Sequence, residues 1–224
     1  MSAQRNRPVA SHALILCHPA FSSFNHAVAN AYADAVIECG QSVVVRDLYA
    51  MRFDPVLKAG ERPSAADFAL SADVVAEQEK IRECDAFVLV YPIWFGTPPA
   101  LLKGFVERVL GAGILPGPLQ AGIPHSFLTG KRLVSFSSSG TSEAWLNEQG
   151  ELSSLRTLFD RYLARTFGMR SEQHFHFANI VPGLKPRFVS ENLAIVRTHA
   201  RRICGELMIE HFRTRAGRPA LQAS

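Results

Sequence analysis

The 224-residue chain is poor in the residues that would place it in several large classes. Its four cysteines, Cys17, Cys39, Cys84 and Cys204, lie far apart and never form Cys-x-x-Cys; without paired thiols they read as small buried hydrophobes. No apolar run approaches membrane-spanning length, and Met1 to Pro8 carries charge with no apolar h-region before the first strand, so a reducing cytoplasm is the expected compartment. The net charge is only +4, and its Lys and Arg residues are scattered apart from Arg201-Arg202 and the run Arg213 to Arg218. With no aromatic-interleaved basic patch, a nucleic-acid partner is not expected; mild positive charge suits phosphorylated small molecules instead. There is no Gly-x-Gly-x-x-Gly after the first strand and no Gly-x-x-x-x-Gly-Lys-Ser/Thr anywhere, which removes the main support for a dinucleotide dehydrogenase or a P-loop protein. No internal repeat, low-complexity linker or domain boundary interrupts the chain, so one domain is expected over 1–224, with 1–11 and 214–224 as loose tails.

What is present is organised around Tyr91-Pro92-Ile93-Trp94-Phe95-Gly96-Thr97-Pro98-Pro99. The preceding run Asp85 to Tyr91 is too uniformly apolar for a half-exposed strand and reads as a central strand buried on both faces. Ala100 to Leu110 then shows helical spacing, so the aromatic stretch is a strand-to-helix turn stiffened by proline and glycine. Other strands are expected over His12 to Cys17, Ser42 to Asp47, Lys131 to Phe136 and Glu172 to Ile180. Helices are expected over His26 to Cys39 (stopped by Gly40), Leu70 to Glu83, Ser153 to Phe167 and Glu191 to Phe212. Strand and helix alternate, which predicts a doubly wound parallel α/β sheet of five strands in the flavodoxin-like order 2-1-3-4-5, helices on both faces.

In that order the loops after strands one, three and four share the ligand crevice at the strands' carboxyl ends. Ser22, Ser23 and Asn25 precede a helix, where unpaired N–H groups and the helix dipole favour a phosphate; the competing reading makes Ser23 or Asn25 a simple helix cap. Trp94 and Phe95 on a stiff turn suit a flat ring, unless they fold back to cover the core. Ser138 to Thr141 supply donors on the ring's far side.

His18-x-x-x-x-Ser23-Phe24-Asn25, Asp47-Leu48-Tyr49-Ala50-Met51-x-Phe53-Asp54-Pro55, Asp73 to Gln78, and Pro92-Ile93-Trp94-Phe95-Gly96-x-Pro98-x-x-Leu101-Leu102-Lys103-Gly104-Phe105-x-Glu107-Arg108-Val109 together resemble the NAD(P)H:quinone oxidoreductase (DT-diaphorase-like) family of flavodoxin-fold flavoproteins. The resemblance spans most of residues 12–145. It implies a bound flavin, FAD or alternatively FMN, in a homodimer, with NAD(P)H as co-substrate and ping-pong hydride transfer to a quinone or similar small acceptor. Carried over by motif, His18, Ser22, Ser23, Phe24, Asn25 and Ala27 would surround the pyrophosphate and ribityl chain. Pro92, Ile93, Trp94 and Phe95 would line the isoalloxazine, and Ser138, Ser139, Gly140 and Thr141 its pyrimidine side. The family's charge-stabilising tyrosine and histidine fall on Trp145 and Glu151, which become the candidate catalytic pair; an indole only donates and an ionised carboxylate only accepts, so the pair is absent, or supplied elsewhere, for instance by His125.

Three further expectations follow. His174 and His176 alternate with phenylalanine and read as two outward polar positions of an edge strand rather than metal ligands. Phe53, Phe68, Ile114, Leu115 and Phe127 sit on long connections and suggest a dimer surface made by Leu48 to Ala69 and Gly111 to Gly130. A flavin-binding ancillary subunit of a potassium efflux system, with membrane association only in that case, is the alternative function.

Overall fold

The computed structural model describes residues 10–115 and 126–216. Five strands, β1 (Ser11–Leu16), β2 (Ser42–Asp47), β3 (Ala86–Pro92), β4 (Arg132–Ser138) and β5 (Ser171–Phe177), form one sheet in the order β2-β1-β3-β4-β5. Every pairing is parallel, with β3 and β4 in register from Ala86↔Arg132 to Pro92↔Ser138. The expected flavodoxin-like order therefore holds. β3 is buried along its whole length, as a central strand covered on both faces requires. β1 begins at Ser11 with Ala10 already buried beside it.

Alternation along the strands divides the core. Leu14, Leu16, Val88, Val90, Val134 and Phe136 face α1 (Phe24–Glu38) and the long α7 (Pro186–Ala216), which bring Val28, Tyr32, Val36, Val196, Ile203 and Leu207. Ala13, Ile15, Phe87, Leu89, Tyr91 and Leu133 face the other way, toward α2 (Ala72–Ile81) and α3 (Ala100–Phe105), which continues through a π-helical turn at Val106–Leu110. Each large side chain so buried contributes roughly 1.5–3 kcal/mol.

The region after β4 departs from expectation. In place of one helix over 153–167 there are α4 (Glu143–Glu148), α5 (Glu151–Leu155), a π-helical turn at Arg156–Arg161, and α6 (Tyr162–Thr166). Leu152, Leu155, Phe159, Leu163 and Phe167 keep helical spacing through this segment and are buried, Leu158 and Tyr162 are exposed, and Asp160 is buried.

The connection after β2 is anchored in two ways. A Cβ on Gly104 would meet Pro55 at 2.4 Å, so only glycine lets this backbone lie directly on α3. Arg108 reaches from the π turn to Glu61, Asp73 and the Asp54 carbonyl. Of the apolar residues assigned to a dimer surface, Phe53 is buried, Ile114 and Phe127 are partly buried against the core, and Phe68 and Leu115 are exposed. Residues 116–125, His125 among them, lie outside the described residues, as do 1–9 and 217–224 of the expected tails.

Candidate functional site

The carboxyl ends of β1, β3 and β4 open on a cleft of about 140 Å³ lined by His18, Phe24, Asn25, Pro92, Ile93, Trp94, Ser138, Ser139, Gly140 and Ile180. Residues from all three predicted loops thus meet at one place. The β3 and β4 loops are held together by the Ile93 N–H donating to the Ser138 carbonyl at 2.7 Å. On the far side, the Ile180 N–H donates to the Ser139 carbonyl at 2.8 Å.

Ser23 caps α1. Its hydroxyl accepts from the His26 N–H at 3.3 Å and pairs with His26 Nδ1 at 2.9 Å. The opposite ring nitrogen of His26 lies 3.2 Å from Asp47 Oδ2, tying the helix start to the end of β2. Asn25 is buried and exchanges hydrogen bonds with Ser138, Nδ2 donating at 2.9 Å. Those side chains are committed to shaping the cleft, and the donors left at its mouth are first-turn backbone N–H groups, since the first bond within α1 is Ala27 N–H to the Ser23 carbonyl. Among the described residues, no acidic residue occupies that turn, nor does one line the cleft. His18 Nδ1 accepts from the Ala20 N–H at 3.0 Å, so its proton resides on Nε2. Burial lowers its pKa and favours this neutral donor.

The aromatic turn is a two-residue hairpin. Trp94 and Thr97 exchange N–H···O bonds of 3.0 and 3.1 Å around Phe95 at φ +52° and Gly96 at φ +78°. A bulky residue in the left-handed region costs on the order of 1–3 kcal/mol and is held only where the surroundings insist. Phe95 is fully exposed and Trp94 39% exposed, its ring 5.9 Å from that of His18. Neither folds back to cover the core.

Several other assigned residues sit at the rim. Ser22 and Thr141 are exposed and Ala27 is half-buried in the first turn of α1. Trp145 and Glu151 do not line the cleft: Trp145 is 46% exposed on α4, and Glu151 opens α5.

One cluster escaped the sequence reading. β5 does lie at the sheet edge, but alternation sends Phe175 and Phe177 toward α7, and His174 and His176 toward the face that Arg156–Arg161 covers. The two histidines therefore point inward, correcting the expectation of outward polar positions. Asp160 Oδ2 lies 2.5 Å from His174 Nδ1, and His174 Nε2 lies 2.6 Å from Ser137 Oγ. Ser137 Oγ lies 2.8 Å from His176 Nδ1, and His176 Nε2 lies 3.1 Å from Ser139 Oγ. All four ring nitrogens are occupied, leaving none for a metal. The available signal was Ser135-x-Ser137-x-Ser139 on a buried strand beside His174-x-His176.

A doubly wound parallel sheet with a cleft at its switch point defines a class of small-molecule-binding α/β proteins. Within that class the chain belongs to the family described as having the flavodoxin-like fold, whose model matches residues 10–200. It is 38% identical over 104 residues to an uncharacterized NAD(P)H oxidoreductase of Haemophilus influenzae, covering 46% of this chain and 52% of that protein. It is likewise 38% identical over 118 residues to NAD(P)H dehydrogenase (quinone) 1 of Rattus norvegicus, covering 45% and 43%. The chain thus matches about half the length of these curated relatives. Among solved structures, an NAD(P)H:quinone oxidoreductase from Methanothermobacter marburgensis superposes with a TM-score of 0.72 at 25% identity, over 87% of this chain and 96% of that one. Among the described residues, no helix is long and apolar enough to cross a membrane.

Proposed function

We propose that the chain is a flavin-dependent NAD(P)H oxidoreductase that passes two electrons, by ping-pong hydride transfer, from NAD(P)H to a quinone or similar small acceptor. The observation that carries this reading is the convergence of three chemically different loops on one cleft. The donor set fits a flavin: a helix whose own first turn carries no acid suits a phosphate, His18 Nε2–H adds a neutral donor, and Pro92, Ile93 and Trp94 offer a flat wall. A bound flavin would supply the redox chemistry, taking a hydride and returning it to the acceptor; the protein supplies orientation and hydrogen bonds. Pro92 to Phe95 would keep the ring in near-attack geometry for the nicotinamide. Trp145, half exposed beside the cleft's Ser/Gly loop, reads as a wall of the acceptor pocket, so truncating it would change which acceptors are used. FAD is the favoured flavin on the motif resemblance, FMN the alternative, and a homodimer with an exposed Phe68 and Leu115 at its seam fits the same resemblance. No observation favours the potassium-efflux ancillary reading.

The test is to purify the protein, release any bound flavin by denaturation and identify it by chromatography, then follow NAD(P)H oxidation with and without a quinone. A yellow protein with stoichiometric flavin and quinone-dependent NAD(P)H oxidation is the expected result. A colourless protein that takes up neither FAD nor FMN overturns the reading.

A further inference from the structure

We propose that Asp160, His174, Ser137, His176 and Ser139 form a proton relay that stores one proton beside the buried carboxylate and exchanges it with whatever redox ring occupies the cleft. The relay is a continuous hydrogen-bonded file. It starts at Asp160, 1% exposed, whose second oxygen accepts from Ser135 Oγ at 2.5 Å. It runs through His174, Ser137 and His176 in links of 2.5, 2.6 and 2.8 Å, and reaches Ser139 at 3.1 Å. Ser139 lines the cleft and can also donate to the Thr141 carbonyl at 3.0 Å. Asp160–His174–Ser137 has the spacing of a hydrolytic triad, but Ser137 is wholly buried with its far side against His176, so no substrate carbonyl reaches it.

Counting hydrogens shows why the file conducts. With His174 protonated, its Nδ1–H donates to Asp160 and its Nε2–H to Ser137; Ser137 donates to His176 Nδ1, His176 Nε2–H to Ser139, and Ser139 to the Thr141 carbonyl. Every group is satisfied. Release of one proton to the cleft moves each hydrogen by one link: Ser139 gives up its own and takes that of His176 Nε2, His176 Nδ1 takes that of Ser137, and Ser137 takes that of His174 Nε2. His174 is left neutral, still donating through Nδ1 to Asp160. Every group is again satisfied, one proton has left, and no electron has moved. Burial, then the neighbouring His174 and Arg156, push His176 down to about 4, so it serves the file as a neutral ring, donating from one nitrogen while accepting at the other. The titratable or charged groups facing the file are Tyr91 of β3, Arg156 and Asp160 of the π turn, and the two histidines of β5. The Tyr91 hydroxyl, fully buried, has its pKa raised by burial and then by Asp160, and stays neutral. A hydride delivered to the cleft brings negative charge there, and this file ends where a proton can answer it.

The role of the relay rests on the flavin reading, so the experiment separates the two. In flavin-free protein, 15N NMR of the imidazoles of His174 and His176 is followed against pH in wild type, Ser137→Ala and Ser137→Thr. In the flavin-loaded proteins, the same imidazole signals are compared between the oxidised and reduced states at fixed pH. The expected result is that the two imidazoles titrate as one coupled unit in wild type and independently in Ser137→Ala. On reduction the His174 imidazole gives up its proton in wild type and keeps it in Ser137→Ala, and Ser137→Thr restores both. Independent titration in wild type overturns the relay, as does an unchanged His174 signal on reduction of the fully loaded wild-type protein. Failure of every variant to take up flavin overturns the function instead, and the imidazole titration still decides the relay.

Discussion

Arg108 and Asp160 are both about 1% exposed and both sit on π-helical turns that cover the same face of the sheet, yet their surroundings do opposite things. Arg108 has five N–H donors, and all five are used: two reach Glu61 at 2.9 and 2.6 Å, two reach Asp73 at 2.9 and 3.1 Å, and one reaches the Asp54 carbonyl at 2.6 Å. A guanidinium does not give up its proton, so around neutral pH no hydrogen of this cluster has a second place to go. It clamps the connection after β2 onto α2 and α3. The Asp160 file is built of hydroxyls and imidazoles, whose hydrogens each have two places to be, and it ends at the cleft instead of closing on itself. A buried network whose protons are fixed pins structure, whereas one whose protons can shift transmits charge.

That contrast can be broken most sharply at its rigid side. Arg108→Ala leaves Glu61 as an uncompensated buried charge and is expected to cost about 3–5 kcal/mol, read as a lowered midpoint in urea unfolding; a loss below about 1 kcal/mol would show the clamp to be incidental. Acid separates the two networks by pH window. Hydrogen bonds from Arg108 hold Glu61 down at about 2, below its ordinary 4.5. Its contribution is therefore complete above 4.5 and fades as pH falls toward 2, a loss on the order of 3 kcal/mol. His176, held near 4 instead of 6.5, is neutral when folded while the unfolded chain takes a proton. Its contribution is present above 6.5 and fades as pH falls toward 4, by roughly 2 kcal/mol after allowing for the ring's partial exposure. Urea unfolding across pH 7 to 2 should thus fall in two stages, the upper one missing in His176→Asn and the lower one in Glu61→Gln. A single stage untouched by either change would refute both assignments. The smallest effect is the control: Arg187 and Glu191 pair at 2.7 Å on the surface of α7, their side chains 89% and 58% exposed, and Arg187→Ala should leave unfolding unchanged within about 0.5 kcal/mol.

The cleft was legible before the structure because its signals are local. Ser23 before an apolar helix, Pro92 to Phe95 after an all-apolar strand, and Ser138 to Gly140 after another each announce a strand-to-helix turn. What Ser23 and Asn25 do there was less legible. One caps α1 and the other bonds to Ser138 from a neighbouring loop 113 residues away, and sequence spacing says nothing of such distances. The π turn at Arg156–Arg161 was invisible for a different reason: an extra residue in a helical turn changes no composition, and nothing in the spacing of Leu155, Phe159 and Leu163 marks Asp160 as buried.

The sequence by itself determined the strand order β2-β1-β3-β4-β5 and the gathering of the three loops at one edge. Hydrophobic periodicity marks the elements, and the handedness of parallel crossovers leaves few ways to connect them. It also determined that His174 and His176 share one face of β5, because side chains alternate along a strand; that β4 runs on past Phe136 and puts Ser137 on the face of Ser135 came with the structure. Only the tertiary structure decided what covers that shared face. Periodicity states which side chains point together but not which distant segment packs over them, and the arrival of Asp160 there turned an edge strand's polar residues into a buried, hydrogen-bonded path to the cleft.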